Sequence, residues 1–153
     1  MAVRPDELDR RMRRFEQICR AGGLKVTHQR MEIFSELART DEHPDAETVH
    51  RRVQERMPAV SRDTVYRTLA LLEEKGLITR AGISGPSRYD ARTEQHHHFV
   101  CVRCGLVKDF VSEAMDGLCP PAEVRRWGAV DSIRVQVRGI CRSCMAKEKG
   151  RHD

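Results

Sequence analysis

The sequence predicts an α+β protein in two parts: a helical N-terminal half ending in a short two-stranded ribbon, and a small C-terminal α/β half stapled by four cysteines. Three observations carry this reading. Before residue 76, apolar residues recur at helical spacing in four runs, each bounded by a capping residue, a glycine or a proline. Between residues 77 and 111 the pattern changes to short extended runs separated by turn residues. Two Cys-x-x-Cys knuckles, Cys101–Cys104 and Cys141–Cys144, then recur within the C-terminal half. Each knuckle presents two thiolates from a tight turn, and a pair of knuckles in one small domain points to a closed tetrahedral zinc site.

In chain order, Leu8, Met12, Phe15 and Cys19 line one face of a helix over residues 6–21, stopped by Gly22-Gly23. Cys19 reads there as a small buried hydrophobe rather than a redox group. Thr27 suits the N-cap of a second helix, which carries Met31, Ile33, Phe34 and Leu37 inward and ends near Thr40. Asp45 caps a third over residues 45–57, with Ala46, Val49, Val53 and Met57 on one face and Pro58 as its stop. Ser61 caps a fourth that runs to Lys75 and closes at Gly76. Its apolar side is Val65, Leu69 and Leu72, while Asp63, Tyr66, Arg67 and Ala70 form a side that a helix can lay in a DNA major groove. Residues 77–80 and 88–90 read as two strands joined across the turn-rich segment 82–87.

Three helices followed by a ribbon make a winged helix, here with an extra helix in front. Periodicity alone leaves a DNA-binding unit and a generic helical domain both open. Residues 1–90 are assigned to this domain and 91–95 to a polar linker. The C-terminal domain, residues 96–153, opens with a hairpin over about 97–111 and continues through a helical region broken by Pro120-Pro121. It returns along residues 129–138, which alternate as a half-buried strand should. Past Met145 the charged tail is expected to fray.

A chain of 153 residues accommodates one ordinary domain or two small ones, and a domain of half that size often needs a staple. The net charge of +5, with a pI near 9.1, suits an acidic partner such as DNA without demanding one. The chain begins Met1-Ala2-Val3-Arg4-Pro5 and goes straight into charged sequence, with no apolar leader. The six cysteines are therefore expected as reduced thiols in a cytoplasm, not as a secreted disulfide framework. No apolar run approaches the roughly 20 residues that span a bilayer, so a soluble protein with no membrane role is expected.

Two metal sites of different chemistry are legible. Cys101, Cys104, Cys141 and Cys144 are soft ligands suited to structural Zn²⁺ with no open coordination position. The rival is a thiol switch in which oxidation expels the metal. For the second site, alternate residues of a strand share a face, so His96 and His98 point one way and His97 the other. Asp90 at the end of the wing, Asp109 on the return strand and His43 in the loop before the third helix are able to complete a nitrogen and oxygen shell. Taken singly, each reads as a surface group sooner than as a ligand, and it is the pair His96/His98 beside a cysteine knuckle that tips the joint reading toward a metal. Such a shell suits Fe²⁺ or Mn²⁺ better than a thiolate cage does, although the affinity order alone favours zinc or copper.

Four segments resemble, in the same order, the ferric uptake regulator (Fur) family of metal-dependent repressors. They are Gly23-Leu24-Lys25-Val26-Thr27-His28-Gln29-Arg30, His43-Pro44, Ser61-x-x-Thr64-Val65-Tyr66-Arg67-Thr68-Leu69, and His96-His97-His98-Phe99-x-Cys101-x-x-Cys104-Gly105. The likeness covers about residues 8–145. It is nearest to the peroxide-sensing members, whose regulatory shell of three histidines and two aspartates matches His43, Asp90, His96, His98 and Asp109. Iron-uptake members usually place glutamate at the position of Asp109 and carry a further histidine on the late strand, where this chain has Ser132-Ile133-Arg134. Zinc-uptake members typically include a cysteine in the shell, and Cys19 and Cys119 lie outside the matched positions.

The resemblance implies a homodimer whose C-terminal domains pair and whose N-terminal domains each read a half-site of a palindromic operator in double-stranded DNA. It implies a regulatory metal tying His43 to Asp90 and the C-terminal ligands. In the peroxide-sensing members bound Fe²⁺ reacts with hydrogen peroxide, a ligand histidine is oxidised and DNA is released; by position the candidates here are His43 and His96. Mn²⁺ supports repression without that reaction. For DNA the resemblance points to Tyr66, Arg67 and Lys25, with Arg62 as a further phosphate candidate. Cys119 reads as structural.

Three function classes stand at this stage. One is a metal-dependent transcriptional repressor sensing peroxide, with iron- or zinc-uptake regulation as siblings. The others are a non-haem metalloenzyme and a zinc-stapled interaction module. An enzyme lacks any recognisable substrate motif here, and a bare interaction module has no need of the His43 and Asp90 match, so a non-enzymatic regulator is expected.

Overall fold

Side-chain oxygens decide where the N-terminal helices begin. The computed structural model describes residues 2–82 and 85–149. Helix α1 (Pro5–Ala21) starts on a proline, whose missing N–H is no loss in a first turn. Thr27 accepts the Arg30 N–H at 3.2 Å and opens α2 (His28–Ala38). Asp45 accepts the Thr48 N–H at 2.8 Å for α3 (Ala46–Gln54), and Ser61 accepts the Thr64 N–H at 3.1 Å for α4 (Arg62–Glu74). Each such cap is worth about 1 kcal/mol. Helix α3 ends three residues before the expected Met57. The residue ahead of a proline is pushed away from helical geometry, and the N–H groups of Arg56 and Met57 both turn back to the Val53 carbonyl. Gly76, at φ +70°, closes α4 in the left-handed conformation that a side chain disfavours.

The four helices bury one core. Phe15 of α1 stacks on Phe34 of α2 with ring centroids 4.8 Å apart, and Ile33, Leu37, Val49, Val53, Val65, Leu69 and Leu72 close around them. Leu77 and Ile78 add to the same core before the chain enters β1 (Thr79–Ala81), which pairs antiparallel with β2 (Arg88–Asp90) in the register Arg80↔Tyr89. These strands are the wing; Ile83 and Ser84 of its expected turn lie outside the described residues. The chain divides into two units, Met1–Thr93 and Glu94–Asp153, with the boundary inside the polar segment 91–95.

The C-terminal unit is a three-stranded sheet in the order β4-β3-β5. The central β3 (His97–Cys101) pairs antiparallel with β4 (Val107–Phe110) and parallel with β5 (Gln136–Gly139). Between β4 and β5 lie α5 (Glu113–Asp116), capped by Ser112, and α6 (Ala122–Trp127), which follows Pro121. Gly139 has a local reason: a Cβ there would sit 3.0 Å from the Phe99 ring.

Two expectations fail in this unit. The late strand covers 136–139, not 129–138. Its ladder starts at His98↔Gln136, Val135 meets only the first residues of β3, and β3 begins at His97, so the residues before Val135 have no strand beside them despite their alternation. The tail beyond Met145 does not fray at once. Helix α7 (Arg142–Lys149) runs through it, held to the first knuckle by an ion pair between Arg103 and Glu148. Residues 150–153 of that tail lie outside the described residues.

The two units bury apolar surface very differently. Among the described residues of the C-terminal unit only Val100, Cys101, Val107 and Cys141 are buried hydrophobics, while Val102, Val111, Leu118, Trp127, Val130, Val137 and Met145 are exposed. A core of four side chains cannot offset the entropy of ordering such a unit. Among the described residues no helix is long and apolar enough to cross a membrane.

Because Phe15 is fully buried against Phe34, Phe15→Ala should destabilise the N-terminal unit by about 3–5 kcal/mol. Urea unfolding followed by circular dichroism measures this as a lowered midpoint.

Candidate metal centres

The parallel pairing of β3 with β5 brings the two knuckles together. Cys101 ends β3 opposite Gly139, two residues before Cys141, and the chain reverses after Cys104 through Gly105 at φ +73°. The Cys101 N–H donates to the Leu106 carbonyl at 2.8 Å, which closes the first knuckle. Cys104 and Cys141 place their sulfurs 3.7 Å apart, Cys101 and Cys144 theirs 4.0 Å apart, and all four lie within 4.8 Å of one another. A tetrahedron with Zn–S bonds of about 2.3 Å has edges of about 3.8 Å, so these sulfurs fit that ion.

The electrostatics point the same way. Backbone N–H groups of Cys104 and Cys141 hold the Cys101 thiol down to about 6. The neighbouring Cys141 thiol, followed by burial, pushes Cys144 up to about 12. Crowded sulfurs thus resist ionising together, and a dication is what allows four thiolates to coexist.

The second donor set in this unit follows from strand geometry. His98 lies directly opposite Asp109 across the β3–β4 ladder, and His96, two residues earlier, shares that face. The Nε2 atoms of His96 and His98 are 3.1 Å apart, and Asp109 Oδ1 lies 3.3 Å from His98 Nε2 and 3.8 Å from His96 Nε2. His96 Nδ1–H donates to the Glu94 carbonyl at 2.7 Å, which leaves the Nε2 lone pair facing the other two donors. Bonds of about 2.1 Å at right angles put neighbouring ligand atoms about 3.0 Å apart, so two histidines and a carboxylate converge as a facial triad does. All donors are nitrogen or oxygen.

The N-terminal unit contributes its own pair. His43 is buried on the loop between α2 and α3, and its Nε2 lies 3.4 Å from Asp90 Oδ2 at the end of the wing. Asp90 Oδ1 accepts the Arg92 N–H at 2.7 Å, which fixes the carboxylate and leaves its other oxygen toward the imidazole. His43 has φ +55°, a left-handed backbone that a histidine seldom adopts and that marks a position held by its surroundings.

His97 points to the other face of β3, as the strand period requires. It is fully buried, accepts the Val135 N–H on Nδ1 at 3.1 Å and donates from Nε2 to Asp116 at 2.9 Å. It clasps α5 and the approach to β5 onto β3. Sequence spacing identified its direction but not its partners, because Asp116 is 19 residues away on a helix turn without a local signature. A second residue was missed altogether. Arg11 lies on the inward stripe of α1 between Leu8 and Phe15 and is 6% exposed, although its charge reads as solvated. The signal was available in Glu7, four residues before it, whose carboxylate takes its Nε–H at 2.8 Å.

Of the remaining candidates, Tyr66 and Arg67 stand exposed on α4, with Arg67 paired to Asp63 at 3.0 Å. Arg62 at the start of the same helix is exposed and pairs with Glu47 at 2.9 Å. Lys25 is exposed on the loop between α1 and α2. Cys19 is fully buried, and burial pushes its thiol up, as suits a packing role. Cys119, read as structural, is at the surface.

Comparison with known proteins decides the family. Residues 21–134 match the profile described as "Ferric uptake regulator family". The chain belongs to the ferric uptake regulator family. The ferric uptake regulation protein of Brucella abortus (biovar 1) is 40% identical over 106 residues, 68% of this chain and 75% of that one. The peroxide operon regulator of Bacillus subtilis is 30% identical over 127 residues, 82% and 88% of the two chains. Among solved structures, the ferric uptake regulator of Helicobacter pylori superposes with a TM-score of 0.71 at 24% identity, over 95% of this chain and 97% of that one, a likeness of fold. The chain is therefore a metal-dependent, DNA-binding transcriptional regulator of the Fur family and not an enzyme.

The four-sulfur geometry makes a direct prediction. Cys101→Ser or Cys141→Ser should lower the zinc content of the purified protein and unfold the C-terminal unit, read by atomic absorption and by collapse of that unit's amide dispersion in NMR. A well-folded variant free of zinc would show that the sulfurs carry no structural metal.

Proposed function

We propose that this chain represses transcription as a homodimer and senses hydrogen peroxide through a regulatory Fe²⁺, with a Zn²⁺ held by Cys101, Cys104, Cys141 and Cys144 as its structural metal. The observation that carries the reading is the convergence of His96, His98 and Asp109 as an all-nitrogen-and-oxygen donor set on one face of the β3–β4 hairpin. Such donors suit Fe²⁺ or Mn²⁺, and no thiol takes part. In this proposal His43 and Asp90 complete the shell from the N-terminal unit.

The residues divide the work. The Glu94 carbonyl sets the tautomer of His96, and the ladder across from His98 holds the Asp109 carboxylate in place. The Arg92 N–H holds Asp90. Donors drawn from both units make metal binding and unit arrangement mutually dependent, and a coupling of about 1–3 kcal/mol changes DNA affinity about 5- to 150-fold. When bound, Fe²⁺ supplies the electron that reduces hydrogen peroxide beside these imidazoles, and Mn²⁺ does not readily do so. Oxidation of His43 or His96 removes a ligand and with it the coupling.

On the DNA side, Tyr66 offers an exposed ring to thymine methyls, while Arg62, Arg67 and Lys25 offer cations to phosphates of a palindromic operator. The exposed Leu118, Trp127, Val130 and Val137 give the C-terminal unit apolar surface for a second copy. A second reading, iron-uptake regulation, has the 40% identical Brucella relative in its favour.

One experiment separates these readings. The Fe²⁺ and Mn²⁺ forms are exposed to micromolar-scale peroxide, operator binding is assayed, and added oxygen is mapped by mass spectrometry. Peroxide sensing predicts DNA release and oxygen on His43 or His96 in the iron form alone. Release with intact histidines and oxidised Cys101 or Cys104 would instead mark a thiol switch, and unaltered binding would leave iron supply as the signal. Independently, operator affinity should fall steeply with salt, and Arg67→Ala should reduce the slope of log K against log salt by about one contact's worth.

A further inference from the structure

We propose that Arg11 is a positioning residue for the regulatory metal: through Asp41 and the Ala38 carbonyl it fastens α1 to the loop that carries His43. The inference rests on the reading of His43 as a ligand and extends it to a helix in front of the three-helix-and-wing core.

The His43 loop is held at nearly every residue, and by groups of four different origins. Ala2 pairs with Thr40 in an antiparallel bridge, and the Val3 N–H donates to the Arg39 carbonyl at 3.0 Å. Arg11 donates from Nη1 to the Ala38 carbonyl at 3.1 Å and from Nη2 to Asp41 Oδ1 at 3.4 Å. Arg52 of α3 holds Glu42 at 3.2 Å. Arg88 of β2 donates to the His43 carbonyl at 3.4 Å, and the Tyr89 N–H donates to the Pro44 carbonyl at 3.1 Å. A left-handed histidine persists only where such restraints over-determine it.

Arg11 differs from the other clamps in being buried. A cation that is 6% exposed must have its donors matched, and its planar fork meets three acceptors: Glu7 in its own helix, Ala38 at the end of α2 and Asp41 in the loop that follows. Asp41 is two residues from His43. Displacing this anchor removes one of the restraints on the segment that holds the histidine in its unusual conformation and leaves Phe15 and Phe34 in the core beneath. A loosened ligand is bound at an entropic cost that the fixed one avoids.

The test uses full-length, zinc-loaded protein, Mn²⁺ titration, the d–d spectrum of the Co²⁺ form and thermal unfolding. Asp41→Asn keeps the size of the side chain and leaves Arg11 its Glu7 and Ala38 partners; Arg11→Lys keeps the charge but loses the fork. Both should weaken Mn²⁺ binding by roughly tenfold, as loss of an outer support of a metal ligand does. The Co²⁺ spectrum should shift, and for Asp41→Asn the zinc content and melting temperature should stay at the wild-type values. In a His43→Ala background, Asp41→Asn should cause no further loss, because the contact acts through His43. Equal losses in both backgrounds would mean a general structural effect and overturn the proposal, as would wild-type Mn²⁺ affinity and Co²⁺ spectrum in Asp41→Asn. Wild-type Mn²⁺ affinity in His43→Ala itself would overturn the ligand reading beneath it. If Arg11→Lys fails to fold, the Asp41→Asn comparison decides.

Discussion

The C-terminal unit depends on the fixing of one five-residue strand. β3 ends in Cys101, begins beside His96 and is flanked by both other strands of its sheet, so whatever sets β3 sets the polar side chains gathered around it. Four buried apolar side chains cannot do this. The sulfur cluster can, because it closes the strand at one end while the His97 clasp to Val135 and Asp116 closes it at the other. His96 and His98 then face Asp109 from a fixed strand, and the three side chains converge with neighbouring polar atoms 3.1–3.8 Å apart. The geometry of this cluster is a property of strand register.

The N-terminal unit solves its problem differently. Its core is large and apolar, and the polar chemistry is confined to the connection between α2 and α3. There, arginines from three elements, Arg11, Arg52 and Arg88, hold the segment around His43. Hydrophobic burial fixes where the helices lie but is nondirectional. Hydrogen bonds from planar guanidinium groups fix how a short irregular loop is turned. A histidine at φ +55° is an outcome that only the second kind of restraint delivers.

What was legible in the sequence follows the same division. Thr27, Asp45 and Ser61 could be read as caps because capping is local, requiring one oxygen and an N–H three residues on. Each knuckle was legible because the spacing within it is local, and the recurrence of two in one small domain pointed to a shared ion although 37 to 43 residues separate the paired sulfurs. His96 and His98 on one face, with His97 opposed, followed from strand period alone. The late strand was misjudged because alternation reports a surface suited to a sheet, whereas a ladder also needs a neighbour, and β3 has none to offer before Val135. Arg11 had one local signal, its pairing with Glu7 four residues earlier, but its other acceptors are 27 and 30 residues away, beyond any periodic pattern. The helical continuation past Met145 carries an ion pair to Arg103, forty-five residues upstream of Glu148, a partner that no local pattern reveals.

The parallel pairing of β3 with β5 carries a consequence for biosynthesis. Parallel neighbours need a long crossover, and here the partner of His98 is Gln136, with the second knuckle later still. Contacts so distant along the chain form late, and domains assemble from the N-terminus as the chain emerges. The helical unit, with local contacts and its own core, is complete while the other unit is still a hairpin with one knuckle. Order of synthesis therefore imposes an order of assembly, in which the helices and wing stand finished before the strand that must return to pair with β3 has been made.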